Sequence, residues 1–134
     1  MNKIEHIGIA VKNMDSAIKI YEQLLNVECY KLEEVKTEGV KTAFFMVGDS
    51  KIELLEATNP ESPIAKFIKK RGVGMHHIAF DVTDIEKEIN RLLSKDFQLI
   101  QKTPKNGADN KKIAFLHPKS TAGLLVELCQ ERTD

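Results

Sequence analysis

The chain repeats itself. Residues 5–18 read EHIGIAVKNMDSAI, and residues 76–89, about half the chain further on, read HHIAFDVTDIEKEI. His6 aligns with His77, Ile7 with Ile78, Ile9 with Phe80, Val11 with Val82, Met14 with Ile85 and Ile18 with Ile89. An internal repeat sets the unit of folding and constrains everything read after it. Each copy reads as an alternating strand, a polar turn and a helix.

In the first copy Asp15 is placed as an N-cap or first-turn acid, and Ala17, Ile18, Tyr21, Leu24 and Leu25 recur at helical spacing. In the second, Thr83 or Asp84 caps a helix carrying Ile85, Ile89, Leu92 and Leu93. Strand-like runs follow each helix: Val27–Leu32, Lys41–Val47 and Lys51–Glu56, then Gln98–Lys102, Lys111–His117 and Leu124–Gln130. Gly48-Asp49-Ser50 and Pro118–Gly123 read as turns. Both halves are therefore β-α-β-β-β. Module 1 covers about residues 1–58 and module 2 about 74–131. The stretch 59–73 between them, with a short helix over Ile64–Lys70 closed by Arg71-Gly72, reads as a surface connector. One module cannot bury both faces of its sheet. The expectation is a single α+β domain in which two paired βαβββ modules form a curved mixed sheet, helices outside and a sheltered concave face within.

Composition agrees with one soluble domain. The chain has 134 residues, 42% hydrophobic and 30% charged, ordinary proportions for a globular protein. Lys plus Arg number 20 and Asp plus Glu number 20, so no bulk field draws nucleic acid or an anionic membrane. No apolar run approaches the roughly 20 residues of a membrane span, and Met1-Asn2-Lys3-Ile4-Glu5 does not open a signal peptide. A cytoplasmic protein is expected. Cys29 and Cys129 lack C-x-x-C spacing and are expected as reduced thiols.

Strand alternation then sorts the chemistry. Ile7, Ile9 and Val11 share one face of the first strand, and His6, Gly8 and Ala10 share the other. In the second copy Ile78, Phe80 and Val82 oppose His77, Ala79 and Asp81. The bulky faces should pack on helices. The face with small residues beside a histidine leaves room for a ligand. His77, not His76, has the cavity parity, and His76 is left to a structural or supporting role. A second echo lies in KIELL (51–55) and LVELC (125–129), each a single carboxylate in an apolar strand. Such a Glu is costly unless it is paired, hydrogen-bonded or bound to a cation. His6, Glu53, His77 and Glu127 together make a two-fold related N2O2 set, suited to Zn, Co, Ni, Mn or Fe(II). His117 has no counterpart in the first half, and a turn role and a substrate contact stand equally open.

These residues resemble the vicinal oxygen chelate superfamily, the glyoxalase/bleomycin resistance/dioxygenase group, built from paired βαβββ modules around one divalent metal. Within it the chain is most similar to the epimerases of methylmalonyl-CoA, through HIGIAV (6–11), ELLEATNPESPIAKFI (53–68), GMHHIAF (74–80) and FLHPKSTAGLLVEL (115–128). The resemblance places the metal ligands on His6, Glu53, His77 and Glu127. Some characterised epimerases have Gln at the second of these. Two positions depart from the pattern. Thr42 stands where some epimerases carry an acidic base, and Gly107-Ala108-Asp109-Asn110-Lys111 replaces a loop that usually contains histidine.

The resemblance implies epimerisation through a metal-stabilised enolate, with Glu127 as one base and Glu53 or a water as its partner. It implies a coenzyme A thioester or other thiol-conjugate substrate and a homodimer. Lys119 and Ser120 are candidates for the coenzyme A phosphates, with Lys111 and Lys112 nearby. The alternatives are a lactoylglutathione lyase acting on a glutathione hemithioacetal and a small-molecule (antibiotic) binding or resistance protein. HIGIAV departs from the usual first-strand signature of the lyases, and resistance binders of the bleomycin type lack the four-ligand set.

Overall fold

In the computed structural model, which describes residues 1–133, the first alternating run becomes strand β1 (Lys3–Ala10). There follow α1 (Met14–Leu25), β2 (Lys31–Val35), β3 (Val40–Val47), β4 (Ser50–Ala57), α2 (Pro63–Arg71), β5 (Gly74–Asp81), α3 (Ile85–Ser94), β6 (Lys105–Gly107), β7 (Lys111–Leu116) and β8 (Val126–Glu131). The class is α+β, and the order β-α-β-β-β occurs twice. The chain divides into two compact units, residues 6–76 and residues 1–5 together with the segment from His77 onward.

In the N-terminal unit the strands run β2-β3-β4-β1. β1 and β4 are parallel, with Gly8 opposite Glu53 and Ala10 opposite Leu55. β3 and β4 are antiparallel, with Phe44 opposite Glu53 and Thr42 opposite Leu55. Residues opposite one another point to the same side of a sheet. One side therefore carries Ile9, Ala43, Phe45 and Leu54, which pack under Met14, Ala17, Ile18, Tyr21 and Leu25 of α1. The other carries His6, Gly8, Thr42, Phe44 and Glu53. Helix α1 starts where the Asn13 side chain accepts from Ser16 N–H and Glu56 Oε2 accepts from Met14 N–H. Asn26, in the left-handed region, ends it.

The C-terminal unit repeats the plan as β5-β8-β7-β6. β5 and β8 are parallel, with Ala79 opposite Glu127, and β7 and β8 are antiparallel, with Phe115 opposite Glu127. One side packs Ala114, Leu116, Val126 and Leu128 under Ile85, Ile89 and Leu92 of α3. Each buried Leu, Ile or Val among these is worth about 1.5–3 kcal/mol. Asp84 Oδ1 caps α3 by accepting from Lys87 N–H. The start of the chain belongs here too: the Asn2 amide donates to Asp81 Oδ2 and Thr83 Oγ1, and Asn2 N–H donates to Asp81 O.

Several sequence expectations are corrected. Of the two places left open for Asp15 it takes the first turn of α1, and the N-cap is Asn13. Leu24, grouped with the core face by spacing, is exposed. The strand expected over Val27–Leu32 forms instead at Lys31–Val35. Its displacement has a local cause: after the turn at Asn26, Cys29 N–H donates to Glu22 Oε2, and pairing with β3 begins only at Tyr30 N–H. The strand expected over Gln98–Lys102 is a single bridge, Leu99 to Leu116, and regular pairing with β7 resumes at Lys105–Gly107. Pro104 has no N–H to give a ladder, which separates the two. The stretch read as a surface connector holds part of the core. Ile64 of α2 is buried with Ala10 and Leu55, and Phe67 and Ile68 pack on them. Ser62 caps this helix, its Oγ accepting from Ile64 and Ala65 N–H.

Among the described residues, no helix is long and apolar enough to cross a membrane.

Candidate functional site

Each unit buries one imidazole–carboxylate pair on the side of its sheet opposite the long helix. In the N-terminal unit His6 Nδ1 and Glu53 Oε2 are 3.1 Å apart. In the C-terminal unit His77 Nε2 and Glu127 Oε1 are 3.1 Å apart. All four residues are 4–5% exposed. The small residues of the strand pattern make the room: Gly8 lies opposite Glu53, and Ala79 opposite Glu127. Aromatic rings wall the pairs. Phe44 stands across from Glu53, and the Phe115 ring meets the His77 ring edge-on, centroids 5.9 Å apart.

Each pair offers an imidazole nitrogen and a carboxylate oxygen, donor types that suit borderline divalent ions.

Around Glu127 the second oxygen is also engaged. Cys129 Sγ lies 2.7 Å from Glu127 Oε2, and Cys129 is fully buried with Ala79 and Ile113. Cysteine content alone marked Cys129 only as a reduced thiol. Its two-residue spacing from Glu127 on β8 was the available signal. Thr42, in the place of an acidic base, is buried on the same side of the sheet as Glu53.

The remaining sequence candidates resolve locally. His76 sets its ring edge-on to Phe67, centroids 4.8 Å apart. His117 is the N-cap of the short 3-10 turn Pro118–Ser120, and its Nδ1 accepts from Lys119 N–H. Ser120 Oγ accepts from Gln98 N–H at 2.8 Å. Lys111 is withdrawn from the surface set: it is buried, and its Nζ lies 3.9 Å from Glu5 Oε2. Lys112 lies 4.0 Å from Glu86 Oε1. In the loop that lacks histidine, Asp109 and Asn110 take positive φ and turn β6 into β7, a conformation these residue types tolerate.

Residues 5–115 match the family model of the Glyoxalase/Bleomycin resistance protein/Dioxygenase superfamily. The chain belongs to that superfamily. Its relatives include an uncharacterised protein of Bacillus subtilis, 41% identical over all of this chain and 96% of that one. They also include the mitochondrial methylmalonyl-CoA epimerase of Dictyostelium discoideum, 37% identical over 96% of this chain and 78% of that one. Among solved structures, methylmalonyl-CoA epimerase from Mycobacterium tuberculosis superposes with a TM-score of 0.92 at 33% identity, covering 97% of this chain and 88% of that one. The superfamily fold implied by the resemblance is thus the fold observed, and an enzyme of this superfamily is what the epimerase relatives imply.

Proposed function

We propose that this chain epimerises methylmalonyl-CoA by exchanging the proton on the carbon between its thioester and its carboxylate. The observation that carries the reading is the repeated buried pair, His6 with Glu53 and His77 with Glu127, in a chain with epimerase relatives. His6, Glu53, His77 and Glu127 are the residues that would hold one divalent ion of Co, Zn, Ni, Mn or Fe(II). Such an ion, when bound, supplies Lewis-acid stabilisation of negative charge on the substrate's oxygens.

The chain's own residues move the proton. The Glu127 carboxylate takes it from the carbon and becomes a carboxylic acid, while the C–H electron pair enters the enolate. A proton from the Glu53 carboxyl group, or from a water, then forms the new C–H bond on the opposite face. No electrons leave the substrate, so no redox partner is required. Phe44 and Phe115, set opposite the two carboxylates, keep water from the reacting carbon. Thr42 contributes no base, which leaves the two glutamates as the acid–base groups.

Lys119 and Ser120 are proposed to receive the coenzyme A phosphates. Ser120 Oγ already accepts from Gln98 N–H, so its own O–H is the donor available to a phosphate oxygen.

Incubation with methylmalonyl-CoA in deuterated water and added Co²⁺ tests this, beside an assay with methylglyoxal and glutathione. Deuterium entering the substrate at the exchanging carbon is expected. Turnover in the second assay alone overturns the reading and makes the chain a lactoylglutathione lyase.

A further inference from the structure

Strand β8 presents Glu127 and Cys129 on one side, because residues two apart along a strand point the same way. Glu127 Oε1 faces His77 Nε2 at 3.1 Å, and Oε2 faces Cys129 Sγ at 2.7 Å. The two oxygens therefore meet two different groups, one on β5 and one on β8. Cys129 has no exposed surface and packs against Ala79, Ile113 and Phe115, so its thiol is held on the carboxylate by the strands either side of it.

We infer that Cys129 is a positioning residue for Glu127, its S–H donating to Oε2 and fixing the plane of the carboxylate. The inference rests on the reading of Glu127 as ligand and base for its functional consequence, though the contact itself does not. A carboxylate rotates freely about its last torsion unless both oxygens are held. A ligand or base turned out of its working plane loses affinity or rate without loss of fold, and hydrogen bonds behind metal ligands typically carry such effects. A thiol is a weak donor, which suits an oxygen that must still bind a cation or take a proton.

Two measurements test the inference separately from the reading it rests on. In a Cys29→Ala background, where Cys129 is the single thiol, the infrared S–H stretch is expected below that of a free thiol. It should rise toward the free position in Glu127→Ala. A stretch at the free position from the outset, unmoved by that change, overturns the contact. The second measurement compares Cys129→Val, which keeps an apolar side chain and removes the donor, with Cys129→Ser, which keeps a donor. Co²⁺ affinity is expected to fall about 10-fold or more in the valine variant and to be restored in the serine variant. The deuterium exchange rate at saturating substrate should fall with it while KM stays unchanged. Where Cys129→Val does not fold by circular dichroism, Cys129→Ala takes its place. Equal affinity and rate in the donor-free and wild-type proteins overturn the positioning role. A wild-type protein that binds no Co²⁺ and exchanges no deuterium sinks the proposed function, whereas the infrared band still decides whether the thiol holds the carboxylate.

Discussion

Glu53 Oε2 lies 3.1 Å from the Nδ1 of His6. The repeat-related pair keeps the distance but uses the other ring nitrogen, Nε2 of His77, against Glu127 Oε1. The duplication thus conserves residue types and strand positions without conserving atoms. The surroundings diverge as well. Glu127 has Cys129 at its second oxygen, while the position two residues after Glu53 is Leu55, packed with Ile64 of α2. Two carboxylates in such different settings should not share one role.

Glu127→Gln should lower deuterium exchange into methylmalonyl-CoA by about 10²–10⁴-fold, the usual worth of a general base. Glu53→Gln should cost at least 10-fold less, because the amide oxygen still serves as a neutral ligand and a water can replace the carboxyl proton. Initial exchange rates of both variants, at matched metal loading, check the ranking. Equal losses would make the two carboxylates equivalent bases.

Metal removal gives a second prediction. Dialysis against a chelator should abolish exchange, and Co²⁺ should restore it. A bound ion also stabilises the folded state, by about 2.7 kcal/mol at a free concentration 100 times Kd. Thermal melts should therefore rise with added Co²⁺ in the wild type and stay flat in His77→Ala. A chelated protein with full activity would contradict the assignment of His6, Glu53, His77 and Glu127.

Much of this was legible before the fold. Alternation alone put His6 and His77 with Gly8 and Ala79 rather than with Ile7 and Ile78, because small and bulky residues separate by parity in a half-buried strand. The helix face of α3 was equally clear, since Ile85, Ile89 and Leu92 recur at helical spacing and are all buried. The outer strands were not. β2 (Lys31–Val35) carries Lys31, Glu33 and Glu34 because an edge tolerates charge, so its sequence looks less like a strand than Val27–Leu32 just before it. β6 has only Lys105–Gly107 and no periodicity to read. The Glu5–Lys111 pair went unnoticed for another reason: its members lie on different strands, and local patterning says nothing about cross-strand neighbours.

Gly39 joins two parts of the N-terminal unit and makes a third prediction. It has φ +63°, and a Cβ there would lie 2.8 Å from both Asn59 Nδ2 and Ser62 Cβ. Gly39→Ala should lose about 1–3 kcal/mol to backbone strain alone, and more through displacement of Ser62, the N-cap of α2. Gly48 supplies the control, with φ +62° and open space around its would-be Cβ. Urea denaturation should show Gly39→Ala to be clearly the less stable of the two. Equal midpoints would mean that the Gly39–Ser62 contact carries no stability.

The role proposed for Lys119 separates substrate binding from chemistry. It lies in the 3-10 turn Pro118–Ser120, which is held by Ser120 Oγ accepting from Gln98 N–H and by His117 Nδ1 accepting from Lys119 N–H. Both of these turn contacts use backbone or neighbouring atoms, so removing the Lys119 side chain leaves them in place. A cation that meets a remote phosphate binds ground state and transition state alike, and its loss raises KM with kcat unchanged. Lys119→Ala should therefore raise KM for methylmalonyl-CoA several-fold, by an amount that shrinks as salt screens the interaction, and leave kcat near wild type. Ser120→Ala should do more, since it also removes the acceptor for Gln98 N–H and loosens the turn that carries Lys119. A Lys119→Ala protein with unchanged KM at low salt would move the phosphate contact away from this turn, without touching the assignment of the two glutamates.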